Sequence, residues 1–170
     1  MVTQTIEFAG TQKVIAVVAA LQRELMCVSH LPGKNVALLA TGIGSQNADR
    51  AITAFLRDHS ASAVINVGFA CALCPELQIG DVVLATEIRG KTTLSPPSSL
   101  SALTQDLAFP WLKNGIVASS PIVLTKAREK QRLAEVLQAD QPVCADMESW
   151  SIANFCSENR IPFLVARAIT

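Results

Sequence analysis

The chain has 170 residues, 50% of them hydrophobic and 16% charged, and its 14 basic and 14 acidic side chains cancel. That length and apolar content support one domain, residues 1–170, with a sizeable core. The balanced charge argues against nucleic acid or an anionic membrane as partner, and 5% aromatic residues with no Tyr argue against a base-stacking surface.

Residues 14–19 form a continuous apolar, β-rich run and read as a buried strand. The run from 14 to 21 is too short to span a bilayer. It leads into Gln22-Arg23-Glu24, not into a small-residue cleavage site, so a secretory leader is not the reading. Residues 21–28 read as a helix and 35–40 as a second strand. Thr41-Gly42-Ile43-Gly44 is a tight turn, and Ser45 can cap the helix after it, in which Ala48, Ile52, Phe55 and Leu56 share a face.

Residues 63–67 read as a third strand, 68–77 as a loop and 81–85 as a fourth strand. Residues 88–114, with Pro96, Pro97 and Pro110, form a long irregular excursion. A short strand at 115–118 follows. Thr125 can cap a helix over 126–137, with Leu133, Val136 and Leu137 as its inward stripe. Residues 143–145 are a strand, 148–159 a broadly apolar helix and 163–169 a final strand.

Strands that are apolar without alternation, separated by helices, indicate an α/β fold. The expected architecture has three layers: a mainly parallel (mixed) central sheet flanked by helices. In such sheets ligands bind at the carboxyl edge of the strands.

The segment 143–151, VCADMESWS, is the most informative. A strand runs directly into Asp146 and Glu148, and a helix begins there. Taken alone, the two acids are ordinary helix-start residues. At a ligand edge, the helix dipole would favour an ionised Glu148 able to accept hydrogen bonds from sugar hydroxyls.

Thr41-Gly42-Ile43-Gly44 follows a strand and opens a helix, but a dinucleotide fingerprint needs its third small residue where Asn47 stands. Two readings stay open: a turn whose N–H groups and Thr41 hydroxyl meet an anion or a ribose, and a plain strand-to-helix connection. Cys71-x-x-Cys74 is a lone pair of thiols, without the four ligands of a structural zinc site, and reads as two small buried residues. Five scattered cysteines fit reduced thiols in the cytoplasm.

Taken in order, six segments resemble the purine and uridine phosphorylase superfamily. They are 14–24 (VIAVVAALQRE), 36–48 (VALLATGIGSQNA), 64–73 (VINVGFACAL), 77–83 (LQIGDVV), 145–153 (ADMESWSIA) and 161–170 (IPFLVARAIT). Within the superfamily they are most similar to 5′-methylthioadenosine/S-adenosylhomocysteine nucleosidases and to hopanoid-associated phosphorylases.

The resemblance implies a nucleoside phosphorylase-like fold and cleavage of the N-glycosidic bond of a purine nucleoside. It implies no cofactor and no metal, with phosphate as an alternative co-substrate to water, and a homodimer or larger homo-oligomer. It assigns Glu148 to the ribose hydroxyls, with Met147 under the sugar. Glu24 takes the place of the glutamate that activates water, where many phosphorylases hold a phosphate-binding Arg. Thr41 and Gly42 fall on the turn that meets the ribose or the nucleophile. Phe69, Ala70 and the stretch 120–123, with Ile122, fall on the base site.

The family carries Gly-Gly where this chain has Cys71-Ala72. Past Arg167-Ala168-Ile169 it continues with Ser or Thr and then an Asp that protonates the purine, one place beyond Thr170. The expectation from the resemblance is therefore a 170-residue chain without the family's C-terminal segment, slow or inactive on adenine nucleosides. The alternative is a non-catalytic nucleoside-binding or assembly homologue.

Overall fold

The structure, a computed structural model, describes residues 13–26, 28, 30, 35–97, 100, 102, 104 and 107–170. Eight strands are present among them: β1 (Val14–Ala19), β2 (Val36–Ala40), β3 (Ala61–Ala72), β4 (Val82–Arg89), β5 (Thr93–Leu94), β6 (Leu112–Ser119), β7 (Val143–Asp146) and β8 (Phe163–Ile169). The helices are α1 (Gln22–Leu25), α2 (Ser45–Asp58), α3 (Ala127–Leu137) and α4 (Ser149–Glu158).

Five of the eight strand pairings are parallel, so the sheet is mainly parallel and mixed, as the apolar runs indicated. Its faces are covered separately. Ala16 and Val18 of β1 pack with Ala48 and Ile52 of α2 and with Ile152, Ala153 and Cys156 of α4. Val17 and Ala19 point the other way and pack with Leu25 of α1. A strand buried on both sides has no reason to alternate polar and apolar residues.

β3 organises the rest. Its early residues pair with β1, residues 64–70 pair with β8, and Cys71 and Ala72 pair with Ala145 and Cys144 of β7. β8 continues to β4, β4 to β6, and β6 returns to β7. The strands β3–β8–β4–β6–β7 thus close on one another, while β1 and β2 extend the sheet outward. Residues 68–72, expected as loop, are strand because β8 and β7 supply ladder partners on both edges; tertiary pairing outweighs the local effect of Gly68.

Other elements also differ from expectation. The helix expected over 21–28 is the single turn α1. Within 88–114, β5 and the first residues of β6 are ordered strand. The N-cap of α2 is Gly44 and that of α3 is Lys126, so neither Ser45 nor Thr125 caps. The inward face of α3 uses Leu133, Ala134 and Leu137, while Val136 is 73% exposed. Among the described residues no helix is long and apolar enough to cross a membrane.

The β4–β5 turn is seated on α4. Trp150 donates its indole N–H to the Thr92 carbonyl at 2.9 Å, and Lys91 Nζ lies 5.5 Å from the ring centroid. Gly90 is packed against the same ring: a Cβ at that position would stand 2.2 Å from Trp150 Cγ. Gly90→Ala is therefore expected to cost about 1–3 kcal/mol as an overpacking change. In thermal denaturation that is a fall of roughly 2–12 °C for a chain of this size; an unchanged midpoint would mean that the turn moves off Trp150 freely.

Candidate active site

Glu24 sits in the single turn α1 directly after β1, and it is 8% exposed. One carboxylate oxygen accepts the Leu21 N–H at 2.7 Å, folding the side chain back onto its own turn. The other accepts the Phe69 N–H from β3 at 3.2 Å. Gly68 makes that approach feasible. A Cβ there would lie 3.2 Å from Glu24 Oε1 and 3.6 Å from Arg167 Nη1, so the absence of a side chain lets the carboxylate and the guanidinium both close on the strand.

Arg167 stands in the middle of β8, opposite Gly68 in register. It pairs with Asp146 at the end of β7: Nε and Nη2 lie 2.9 and 2.8 Å from Oδ2, with both side chains almost wholly buried. Its remaining N–H groups are spent on the Asn66 side-chain oxygen at 2.9 Å and on the Asn66 and Ala166 carbonyls at 3.1 and 3.0 Å. Asp146 Oδ1 accepts from the Ser119 hydroxyl, and Oδ2 accepts from the Ser149 N–H and hydroxyl. Buried charges persist only when paired and hydrogen-bonded in this manner.

Glu148 is the N-cap residue of α4 and is 7% exposed. Its Oε1 accepts the Gly44 N–H at 2.6 Å. Burial pushes its carboxyl above the usual range, and Asp146 adds to that push, while the Gly44 N–H and Arg167 oppose it. The helix-start argument foresaw only stabilisation of the charge; desolvation is the larger influence. The turn holding Gly44 is stitched to β1, since Thr41 and Gly42 donate their N–H groups to the Ala19 and Ala20 carbonyls, each at 2.9 Å. The buried Thr41 hydroxyl lies 2.9 Å from the Gly42 carbonyl and 3.3 Å from that of Ala19.

These contacts form a circuit. Glu148 meets Gly44; the 41–44 turn meets Ala19 and Ala20; α1 carries Glu24 to Phe69; Gly68 lies against Arg167; Arg167 holds Asp146, two residues before Glu148. Residues 24, 41, 42, 69, 147 and 148 are therefore gathered at one edge of the sheet, with Met147 half-buried and Phe69 44% exposed. Ala70 is buried next to Phe69, and its methyl packs in the core. Ile122 stands apart, exposed. Its N–H donates to the Ser120 hydroxyl at 3.2 Å, and the Ser120 N–H donates to the Asp146 carbonyl at 2.7 Å.

The sequence model of the phosphorylase superfamily matches residues 8–170. The chain belongs to the phosphorylase superfamily. Its relatives include the 5′-methylthioadenosine/S-adenosylhomocysteine nucleosidase of Baumannia cicadellinicola, 29% identical over 92% of this chain and 85% of the relative. The enzyme of the same name from Actinobacillus succinogenes is 30% identical over 81% of this chain and 68% of the relative.

Among solved structures, a futalosine hydrolase mutant of Helicobacter pylori superposes with a TM-score of 0.81 at 18% identity, covering 95% of this chain and 92% of the other. The Helicobacter pylori methylthioadenosine nucleosidase, complexed with a pyrrolidine inhibitor, superposes with a TM-score of 0.80 at 21% identity, covering 95% and 85%. At those identities the structures establish the superfamily's fold.

In this superfamily member, sequence reasoning missed the Arg167–Asp146 pair as a unit. The available signal was an Arg alone in an apolar strand, which requires a buried acid nearby. Among the described residues, no thiol hydrogen-bonds to the carboxylates of this edge. Burial pushes Cys71, Cys74 and Cys144 up and Cys156 up to about 12, so none of these four is a ready thiolate. Cys71 and Cys74 are half-buried, not buried as expected, and Cys74 Sγ accepts the Val143 N–H at 3.3 Å. Among the described residues no group of three or more potential ligands can hold a metal ion.

Proposed function

We propose that this chain cleaves the N-glycosidic bond of a purine nucleoside of the methylthioadenosine or adenosylhomocysteine type, with water as the acceptor. The observation that carries the reading is the pair of buried carboxylates, Glu24 and Glu148, held at one sheet edge on either side of the Arg167–Asp146 pair. The names of its relatives support the same substrate class.

Breaking this bond builds positive charge on the sugar ring and negative charge on the departing base. Groups placed in advance where charge develops lower the barrier. Glu148 accepts hydrogen bonds from the ribose hydroxyls. Glu24 orients a water beneath the sugar and takes its proton. Thr41 and Gly42 border the sugar, and the exposed Phe69 ring offers a face to the base. No cofactor or metal is needed for these steps; phosphate is the competing acceptor.

The test follows adenine release from methylthioadenosine with and without phosphate, alongside calorimetric binding of the same nucleoside. Whatever its rate, release is expected to be independent of phosphate. Strict phosphate dependence would replace hydrolysis by phosphorolysis, and binding without release would leave a nucleoside-binding homologue. The reading further has the protein acting in the cytoplasm as a homodimer or larger homo-oligomer, to be checked by fractionation and light scattering.

A further inference from the structure

Gly44 occupies φ +93°, ψ 155° immediately before α2. That region of backbone space is essentially reserved for glycine. Crowding is not the cause, because a Cβ at Gly44 would meet nothing within 4 Å. The cap is also atypical: a helix start is normally closed by a side-chain oxygen, and here no side-chain cap bond forms. Instead the Gly44 N–H is aimed across the edge at Glu148 Oε1, 2.6 Å away and 104 residues distant in sequence. The glycine conformation is thus spent on pointing one amide at one carboxylate.

We propose that Gly44 is a positioning residue for ribose recognition: its N–H fixes the Glu148 carboxylate in orientation and holds it ready to accept from the sugar hydroxyls. The proposal rests on the nucleoside reading above. An ionised carboxylate has about four acceptor sites, so the Gly44 and Met147 N–H groups still leave room for two hydroxyls. A donor to the charged form also favours that form. The other charged groups acting on Glu148 are Asp146 of β7, which opposes its ionisation, and Arg167 of β8, which favours it. The 41–47 turn contributes no titratable side chain, the nearest one on α2 is the exposed Asp49, and Glu24 of α1 accepts from the Leu21 and Phe69 amides.

The experiment measures the affinity of formycin A, a nucleoside whose carbon–carbon glycosidic bond cannot be hydrolysed, from pH 5 to pH 8. Burial has raised the Glu148 carboxyl, so affinity falls as pH drops through its protonation. In Gly44→Ala the midpoint of that fall moves to higher pH, and affinity at the plateau drops about 10-fold or more, as for loss of a hydrogen bond to a charged group.

Gly80→Ala is the control for strain alone. Gly80 has φ +97° with open space around its Cβ, in the turn before β4. It loses stability but keeps the wild-type midpoint. A Gly44→Ala midpoint equal to that of Gly80→Ala overturns the proposal. A second measurement needs no change at Gly44: in labelled wild-type protein the Gly44 amide resonance titrates with the same midpoint as affinity, and in Glu148→Gln it does not. An amide indifferent to pH also overturns the proposal. Glu148→Gln that binds formycin A as well as wild type removes the nucleoside reading itself, whatever Gly44 does.

Discussion

Replacing Arg167 with methionine is expected to lower the unfolding free energy by about 3–5 kcal/mol, the largest stability loss foreseen for a single side chain here. The loss comes from what remains behind. Asp146 would keep its buried carboxylate, with Ser119 and Ser149 still donating, but without the guanidinium that neutralises it. The Asn66 side-chain oxygen and backbone carbonyl would lose their donors as well.

In a chain of this length the midpoint of thermal unfolding should fall by roughly 6–20 °C. Urea titration followed by circular dichroism gives the free energy directly. The double change Arg167→Met with Asp146→Asn should be less damaging than the sum of the single changes, because the second removes the stranded charge. A loss below about 1 kcal/mol for Arg167→Met would place the pair in the class of surface ion pairs and contradict its burial.

The positions of the strands were partly legible because doubly covered strands are written as unbroken apolar runs. Residues 14–19 and 163–169 were recognised to the residue for that reason. The tail of β3 was not. Gly68 reads locally as a turn, and only pairing with β8 and β7 makes it strand. The same register hides the Arg167–Asp146 pair, since nothing local to either residue announces the other. Glu148 drew notice as an acid where a strand runs directly into a helix, whereas Glu24 was assigned a role only by the resemblance of its segment to the superfamily. The donors that hold them were invisible, because Leu21, Phe69 and Gly44 supply backbone N–H groups, which every residue but proline has. Val136 misled the reading of α3 for a geometric reason: at that spacing Ala134 takes the inward position and Val136 turns to solvent.

Glu24→Gln is expected to reduce adenine release from methylthioadenosine by roughly 10²–10⁴-fold, the usual contribution of a positioned general base. The substitution keeps the shape of the side chain and removes its capacity to take a proton. It also sets a local conflict. Glu24 accepts from two backbone amides, Leu21 on one oxygen and Phe69 on the other, and a glutamine can satisfy only one of them. Folding stability must therefore be measured beside turnover.

The discriminating comparison is with Glu148→Gln. If Glu24 serves the water and Glu148 the sugar, the first change lowers turnover while nucleoside affinity stays near wild type. The second weakens affinity, by roughly 10–150-fold for a hydrogen bond to a charged group. Interactions made only in the transition state appear in kcat, whereas those made equally with the bound substrate appear in KM. Equal losses of affinity from both changes would mean that the two carboxylates grip the ligand together. The assignment of Glu24 to water would then fall, although the nucleoside would still bind at this edge.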